Sequence, residues 1–450
     1  MDPADPVRLL QPRWIAPATA SSPILMDHAL AIRGERIEAI GPAAALAQQY
    51  PQVQPEALPG HLLIPGLVNV HSHAAMTLLR GVGDDLPLKR WLEERIWPLE
   101  QQLVSDEFVY DGALLACREM LLGGVTCFSD MYFFPQATAR AALVMRMRAV
   151  LGIIVFEFPS AYGTGPADYL SKGLALRDEM RDQRCLAFTL SPHAPYTTSD
   201  ETLRRVASLA AELQVPIATH LHETAGEVEE SVAQYGMRPI ERLEKLGLLG
   251  PEFIAIHGVH MNDQDIARLA RAGATLAHCP HSNLKLASGI APVGEMARRG
   301  VNVAIGTDGA ASNNRLDLLA EGRLASLLAK ASTGDAAVCD AHWILRAMTQ
   351  AGANALGLGD RLGSLEPGKQ ADLVAVDLSP LEYGPVHDPV ATLIHAAGRE
   401  AVTDVWIAGD RVVEGRQISN SLSREAVGTV VGRNPLWHNR LGEFVSCRGN

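Results

Sequence analysis

The residues with the plainest capacity for chemistry in this 450-residue chain are histidines and carboxylates placed just past short apolar runs. His71 and His73 follow Val68-Asn69-Val70. His220 follows Ile217-Ala218-Thr219, with Glu223 three residues on. His257 follows Ile254-Ala255-Ile256, and Asp308 follows Val303-Ala304-Ile305-Gly306-Thr307. Side chains two apart on a strand share a face, so an HxH at a strand end can offer two imidazoles to one ion. A single HxH is a weak signal, more often a pair of solvated loop histidines than a metal site. Four strand ends that each carry a ligand-type residue say more, because the C-terminal ends of parallel barrel strands open on one face, where active sites lie. Imidazoles with one carboxylate and room for water suit Zn²⁺, with Fe²⁺ or Mn²⁺ as alternatives. Such an ion lowers the pKa of its water from about 15.7 toward 7. That centre could hydrolyse amides, esters, amidines or aryl halides, so by itself it does not name a substrate.

The elements that must position these residues alternate along the chain. Eight short apolar runs read as strands: Leu62–Val70, Val125–Ser129, Val150–Phe156, Leu186–Leu190, Pro216–Thr219, Phe253–Ile256, Thr275–Ala277 and Val301–Ile305. Between them Ser105, Ser199 and Asn262 precede acidic first turns, as helix N-caps do, and Gly123-Gly124 and Gly273 mark stops. Eight strands with intervening helices predict an α/β fold, a (β/α)8 TIM barrel; a doubly wound open sheet fits the same alternation. The flanks carry short alternating runs punctuated by Gly34, Gly41 and Gly409-Asp410, which predicts a small β-sandwich assembled from both chain ends. The expected division is residues 1–63, first part of the β-sandwich; 64–365, the barrel; and 366–450, second part of the β-sandwich and a C-terminal tail.

Composition narrows the function classes. With 39 Lys and Arg against 51 Asp and Glu, the formal charge of −12 argues against nonspecific binding to nucleic acid or anionic membranes and leaves a small-molecule substrate open. Six Cys without a CxxC pair fit reduced thiols. Met1 to Arg13 lacks the apolar core of a signal peptide, and the run Leu151–Phe156 is too short to span a bilayer. These readings predict a cytoplasmic protein.

Beyond spacing, the chain resembles a known group. His71-Ser72-His73, His220-Leu221-His222-Glu223, His257 and Gly306-Thr307-Asp308-Gly309 look like motifs of the amidohydrolase superfamily, in its mononuclear deaminase and chlorohydrolase branch. Leu79-Arg80-Gly81, Trp91-Leu92, Pro98-Leu99-Glu100, Ser191-Pro192-His193-Ala194-Pro195, Ser282-Asn283-Leu284-Lys285-Leu286-Ala287 and Gly363–Lys369 extend the likeness from about residue 60 to 410. It is most similar to the 5'-methylthioadenosine/S-adenosylhomocysteine deaminases. The resemblance implies that His71, His73, His220 and Asp308 hold one divalent ion. It implies that Glu223 shuttles a proton from water to the ring nitrogen beside the amino-bearing carbon, that His257 orients the attacking oxygen, and that Asp308 also accepts a proton. Glu100 would receive the two ribose hydroxyls, since a carboxylate can accept both. His193 would contact purine or ribose, and Trp91 would close a wall of the pocket. Binuclear relatives use a lysine after the fourth strand; none occurs from Arg184 to Thr198, which favours one metal.

His222 reads as a neighbour of the pocket and not a ligand, and His260, His278 and His281 as local hydrogen-bonding groups. Relatives that handle S-adenosylhomocysteine resemble one another in arginines after the third strand. No arginine occurs from Ala149 to Leu176 here, which ranks 5'-methylthioadenosine first and S-adenosylhomocysteine or adenosine after it. The rival readings are a guanine, 8-oxopurine or triazine deaminase or chlorohydrolase of the same branch, for which a ribose-reading Glu100 is wasted, and a non-catalytic barrel scaffold, which has no need of the ligands. A cytidine-type zinc deaminase needs PCxxC, and Cys279-Pro280 has the wrong order. Many barrels of this kind pair, so a homodimer is the expected assembly.

Overall fold

The computed structural model describes residues 5–19 and 23–447. Eight strands form one parallel sheet in chain order: Leu67–Ser72, Val125–Asp130, Arg148–Val155, Leu186–Pro192, Ile217–Leu221, Phe253–His257, Thr275–His278 and Asn302–Ile305. They are buried along nearly their whole length, as strands covered on both faces must be. The first and last come together through side chains: Asn69 Nδ2 donates to Thr307 Oγ1 at 2.8 Å, and Thr307 N donates back to Asn69 Oδ1 at 3.0 Å. Asp308 N also donates to the His71 carbonyl at 3.0 Å. This is the parallel barrel that the alternation predicts; the doubly wound alternative is excluded by the strand order.

The helix signals act as read. Ser105 caps Asp106–Leu122, Ser199 caps Asp200–Leu213, and Asn262 caps Asp263–Ala272, each side chain accepting a first-turn N–H. Gly273 ends the third of these at φ +67°, where glycine carries no Cβ penalty.

Both chain ends build a second, nine-stranded mixed sheet. Its join is the antiparallel pairing of Glu56–Pro65 with Leu373–Asp377. Period-two patterning explains its two faces. Leu63, Leu373 and Ala375 pack with Leu10, Leu30, Ile32 and Trp406 in a core of the sheet's own, whereas the alternate residues Leu62, Ile64, Val374 and Val376 join the core of the barrel. The predicted strand Leu62–Val70 is in fact two: the chain leaves the end sheet at Pro65 and enters the barrel at Leu67. Gly66 makes the crossing possible, because a Cβ there would lie 2.1 Å from Thr126 Oγ1. Gly41, expected in a turn, is paired with Ala29 inside a strand.

The tail departs most from expectation. Residues Ser421–Cys447 form one helix that includes Pro435 and lies on the barrel helix Asp106–Leu122. Trp437 is buried edge-on to Phe108, and its indole N–H donates to Asp111 Oδ2 at 2.9 Å. Among the described residues no helix is long and apolar enough to cross a membrane.

Candidate active site

The C-terminal strand ends open on a cavity of about 340 Å³. It brings together nearly all the residues singled out from the sequence: His73, Trp91, Glu100, His193, His220, Glu223, His257 and Asp308 line it. His71 sits directly behind, buried, with its ring 4.8 Å from that of His73 and 5.0 Å from that of His220.

Each histidine is oriented by the bond its other ring nitrogen makes. His73 Nδ1 lies 2.6 Å from the Met131 carbonyl and His220 Nδ1 2.8 Å from the His193 carbonyl. A carbonyl can only accept, so both rings carry a proton on Nδ1 and turn Nε2 inward; burial would lower the His73 imidazolium, but Asp308 beside its Nε2 raises it to about 9. His257 Nδ1 lies 2.8 Å from Asn283 Oδ1. Asp308 Oδ1 is 3.3 Å from His71 Nε2 and 3.2 Å from His73 Nε2, while its Oδ2 accepts hydroxyls from Ser282 at 2.6 Å and Ser312 at 2.9 Å. The backbone is forced at this rim: His257 has φ +74° and Asp308 φ +60°, values that side chains other than glycine rarely adopt and that gather at functional sites.

The cluster fits a metal ion. Ligand atoms of His71, His73 and Asp308 lie within 4.8 Å of one another, as do those of His71, His220 and His257. His71 Nε2 is buried without a hydrogen-bond partner, a costly arrangement for a polar atom that nothing is meant to meet. Burial pushes the His71 imidazolium down to about 4, and holds His220 well below its ordinary value, so both rings are neutral donors. Burial alone would raise the Asp308 carboxyl, but the adjacent imidazoles of His71 and His73 hold it well below the carboxylate range.

Two further carboxyls face the cavity from other elements. Glu223 follows the fifth strand, with Oε2 3.7 Å from His257 Nε2. Its backbone is fixed by Glu227, whose two oxygens accept the N–H groups of His222 at 2.9 Å and Glu223 at 2.8 Å. Burial raises the Glu223 pKa. Glu100 comes from the helix Trp97–Leu103, which follows a π-turn at Leu92–Ile96, a distortion common at functional sites. Burial pushes its carboxyl up to about 7, against the pull of a 2.7 Å bond from the Tyr132 hydroxyl.

His193 stacks on Phe156 with ring centroids 4.5 Å apart, and burial lowers it to about 3, leaving a neutral ring. Trp91 is buried in the wall and donates its indole N–H to the Val82 carbonyl at 3.2 Å. The segment after the third strand contributes Phe156, Phe158 and Pro159 to the lining. Among the described residues no lysine or arginine lines the cavity.

The other histidines fall outside it. His222 is fully buried, but its Nε2 accepts from Ile240 N at 3.1 Å, in the packing behind the strand. His260 bonds the Ser288 carbonyl, and His281 lies 2.8 Å from the buried Glu321. His278 departs from its expected role as a local hydrogen-bonding group: it is buried with Nδ1 unpartnered, and burial lowers it to about 3.

Sequence reasoning finds the apolar stretch holding Phe156 and Phe158, misses Tyr132 and Ser312, and assigns Ser282 and Asn283 no role. Position just past a strand end is the available signal for Tyr132, two residues beyond Asp130.

Comparison with known proteins agrees with this geometry. Residues 62–412 match the amidohydrolase family, and residues 29–52 match a bacterial imidazolonepropionase-like composite domain. A 5-methylthioadenosine/S-adenosylhomocysteine deaminase of Teredinibacter turnerae is 46% identical over 433 residues, covering 96% of this chain and 97% of that protein. The crystal structure of an adenosine deaminase from Xanthomonas campestris with bound zinc superposes with a TM-score of 0.92 at 44% identity, covering 97% of this chain and 98% of that one. Atrazine chlorohydrolase from Arthrobacter aurescens, complexed with zinc, gives 0.87 at 25% identity, covering 95% and 100%.

Proposed function

The chain belongs to the amidohydrolase family, and from that premise we propose that it hydrolyses the 6-amino group of 5'-methylthioadenosine, releasing ammonia and the inosine analogue. One observation carries this reading. A single cavity holds a carboxyl beside the histidine cluster, Glu223, and a second, Glu100, that among the described residues belongs to no metal cluster and is tied instead to Tyr132. The first suits proton transfer at a purine ring; the second suits a pair of ribose hydroxyls.

A divalent ion, Zn²⁺ as in the solved neighbours, would be held by His71, His73, His220 and Asp308 and would supply Lewis acidity and a water ionised at neutral pH. Glu223 takes a proton from the attacking water and delivers it to the ring nitrogen beside the amino-bearing carbon. A raised pKa suits a group that must both take and give. His257, with Nδ1 committed to Asn283, presents Nε2 to the attacking oxygen. As the new C–O bond completes and the C–N bond breaks, Asp308 accepts the second proton of the water and passes it to departing ammonia. Glu100 binds the ribose, His193 meets the purine or ribose with a neutral ring, and Trp91 closes the wall.

The absence of lysine and arginine from the lining among the described residues supports the methylthio substituent over a homocysteine tail. The tail carboxylate would be desolvated without a counter-charge, whereas Phe156, Phe158 and Pro159 can pack a methyl thioether. The same reading takes the protein as a cytoplasmic homodimer acting on a small nucleoside, with no nucleic acid or membrane as partner.

Ammonia release from 5'-methylthioadenosine, S-adenosylhomocysteine, adenosine and guanine by the zinc-loaded protein tests the proposal. Turnover of methylthioadenosine well above the others is expected. Silence on every adenosine derivative with the metal bound would move the substrate to a free base or a triazine.

A further inference from the structure

Glu100 approaches the cavity on a helix that follows the π-turn, whereas the histidine cluster stands on the strand ends. Something must hold the carboxylate in register with the cluster, since Glu100 has a rotamer-rich stem and, among the described residues, no lysine or arginine lines the cavity beside it. The loop Met131–Phe134 supplies that link. At its start, Met131 N donates to the Ser72 carbonyl at 2.9 Å and the Met131 carbonyl takes the Nδ1 proton of His73 at 2.6 Å. At its end, Phe134 takes φ +51° and opens the helix Pro135–Val144, which pins the loop from the other side. Between these anchors Tyr132 is 4% exposed, with its ring centroid 6.2 Å from that of His73. Its hydroxyl lies 2.7 Å from Glu100 Oε1. An ionised carboxylate only accepts, so the phenol must be the donor.

We propose that Tyr132 is a positioning residue for Glu100: by donating to Oε1 it fixes the carboxylate plane relative to the histidine cluster and leaves Oε2 and the remaining lone pairs for the vicinal hydroxyls of a ribose, so that discrimination between ribosides and dideoxyribosides passes through the phenol. This rests on the reading of Glu100 as the ribose-binding group. A carboxylate has about four acceptor sites, so one donor from the protein still leaves room for two from the sugar. The bond also favours the charged form of Glu100 against the burial that disfavours it, and the charged form is the one that accepts from both hydroxyls.

The test is a double-mutant cycle in the zinc-loaded protein with Tyr132→Phe, Glu100→Ala and the pair, each assayed for kcat and KM on adenosine and on 2',3'-dideoxyadenosine. Bound zinc and the thermal midpoint are recorded for each variant. Tyr132→Phe is expected to raise KM for adenosine about tenfold, as for loss of one hydrogen bond to a charged group, with a far smaller fall in kcat. It should leave the dideoxynucleoside nearly unaffected and add nothing to Glu100→Ala. Equal losses on both nucleosides, or a full additional loss in the Glu100→Ala background, would overturn the positioning role. The two failures are separable. If Glu100→Ala by itself does not narrow the gap between the nucleosides, the ribose reading of Glu100 falls and takes this inference with it. If Glu100→Ala narrows it and Tyr132→Phe does not, only Tyr132 is removed.

Discussion

At the N-terminal end of the barrel, Arg148 on the third strand sets its guanidinium against both oxygens of Asp372 on the approach to the end sheet, at 2.7 and 3.0 Å. The pair is buried and further bonded: Arg148 also donates to Gln370 Oε1 at 3.1 Å, and Asp372 Oδ1 accepts from Ala408 N at 2.8 Å. At the C-terminal end of the same barrel, Glu100, Glu223 and Asp308 face the cavity, yet among the described residues no lysine or arginine faces them across it. Both ends draw charge away from water, and they do so to opposite purposes. A bidentate buried ion pair with further hydrogen bonds holds two pieces of chain together, since removing either partner strands a buried charge. Carboxyls left facing open space inside a cavity keep their electrostatic capacity for something that is not part of the chain. The same residue types thus read as architecture at one end and as chemistry at the other, and the deciding feature is whether a lysine or arginine of the protein meets the carboxylate.

The contrast can be broken by mutation. The largest effect is expected from His220→Ala or Asp308→Ala, which remove proposed ligands at the open end: bound metal should fall well below one per chain, with activity lost alongside. Full metal content by elemental analysis in either variant would refute the ligand assignment. Next, Glu223→Gln should keep the metal and lose about 10²–10⁴-fold in kcat, the usual range for a lost proton shuttle. Its urea midpoint should hold or rise, because burial disfavours the charged carboxyl more than His257, 3.7 Å away, favours it; near-normal turnover would take Glu223 out of the mechanism.

At the closed end the signs reverse. Asp372→Ala strands a buried guanidinium and should cost about 3–5 kcal/mol of stability, read from urea unfolding, with kcat unchanged where the protein remains folded. A large fall in kcat with little change in the unfolding midpoint would contradict the division.

The smallest effect concerns pH. Glu100 is charged above about 7 and protonated below it, through burial. Only the charged form accepts from both hydroxyls, so KM for ribosylated substrates should rise as pH falls through 7, approaching about tenfold per unit, while KM for a dideoxynucleoside stays flat. Parallel pH profiles for the two would assign the titration to another group.

Much of this arrangement is legible in the residues alone. The HSH, HLHE and GTDG segments each sit where an apolar run ends, and the barrel places those ends on one face, so the histidine cluster follows from spacing and strand count. Glu100, His193 and Trp91 are reachable only through resemblance, because nothing in a helix such as Trp97–Leu103 announces which side chain turns toward a cavity. Leu62–Val70 reads as one strand because both sheets it serves ask for the same apolar residues, and the break shows only when Thr126 is seen to leave no room for a Cβ at Gly66. The C-terminal helix escapes notice because Pro435 and three glycines interrupt its helical pattern, and its anchor, Trp437 on Asp111, joins residues 326 apart.

What the sequence determined by itself was therefore local: where strands end, which caps start helices, and which residue types could bind a metal or move a proton. These depend on neighbours within a few positions, and a pattern of period 2 or 3.6 records them. What only the tertiary structure decided was which groups pair and which remain open. Tyr132 on Glu100, Asn283 on His257, Ser282 and Ser312 on Asp308, and Arg148 on Asp372 are contacts across the fold, set by where the closed barrel brings distant strand ends. A side chain's chemistry there depends on partners and burial that no local pattern specifies.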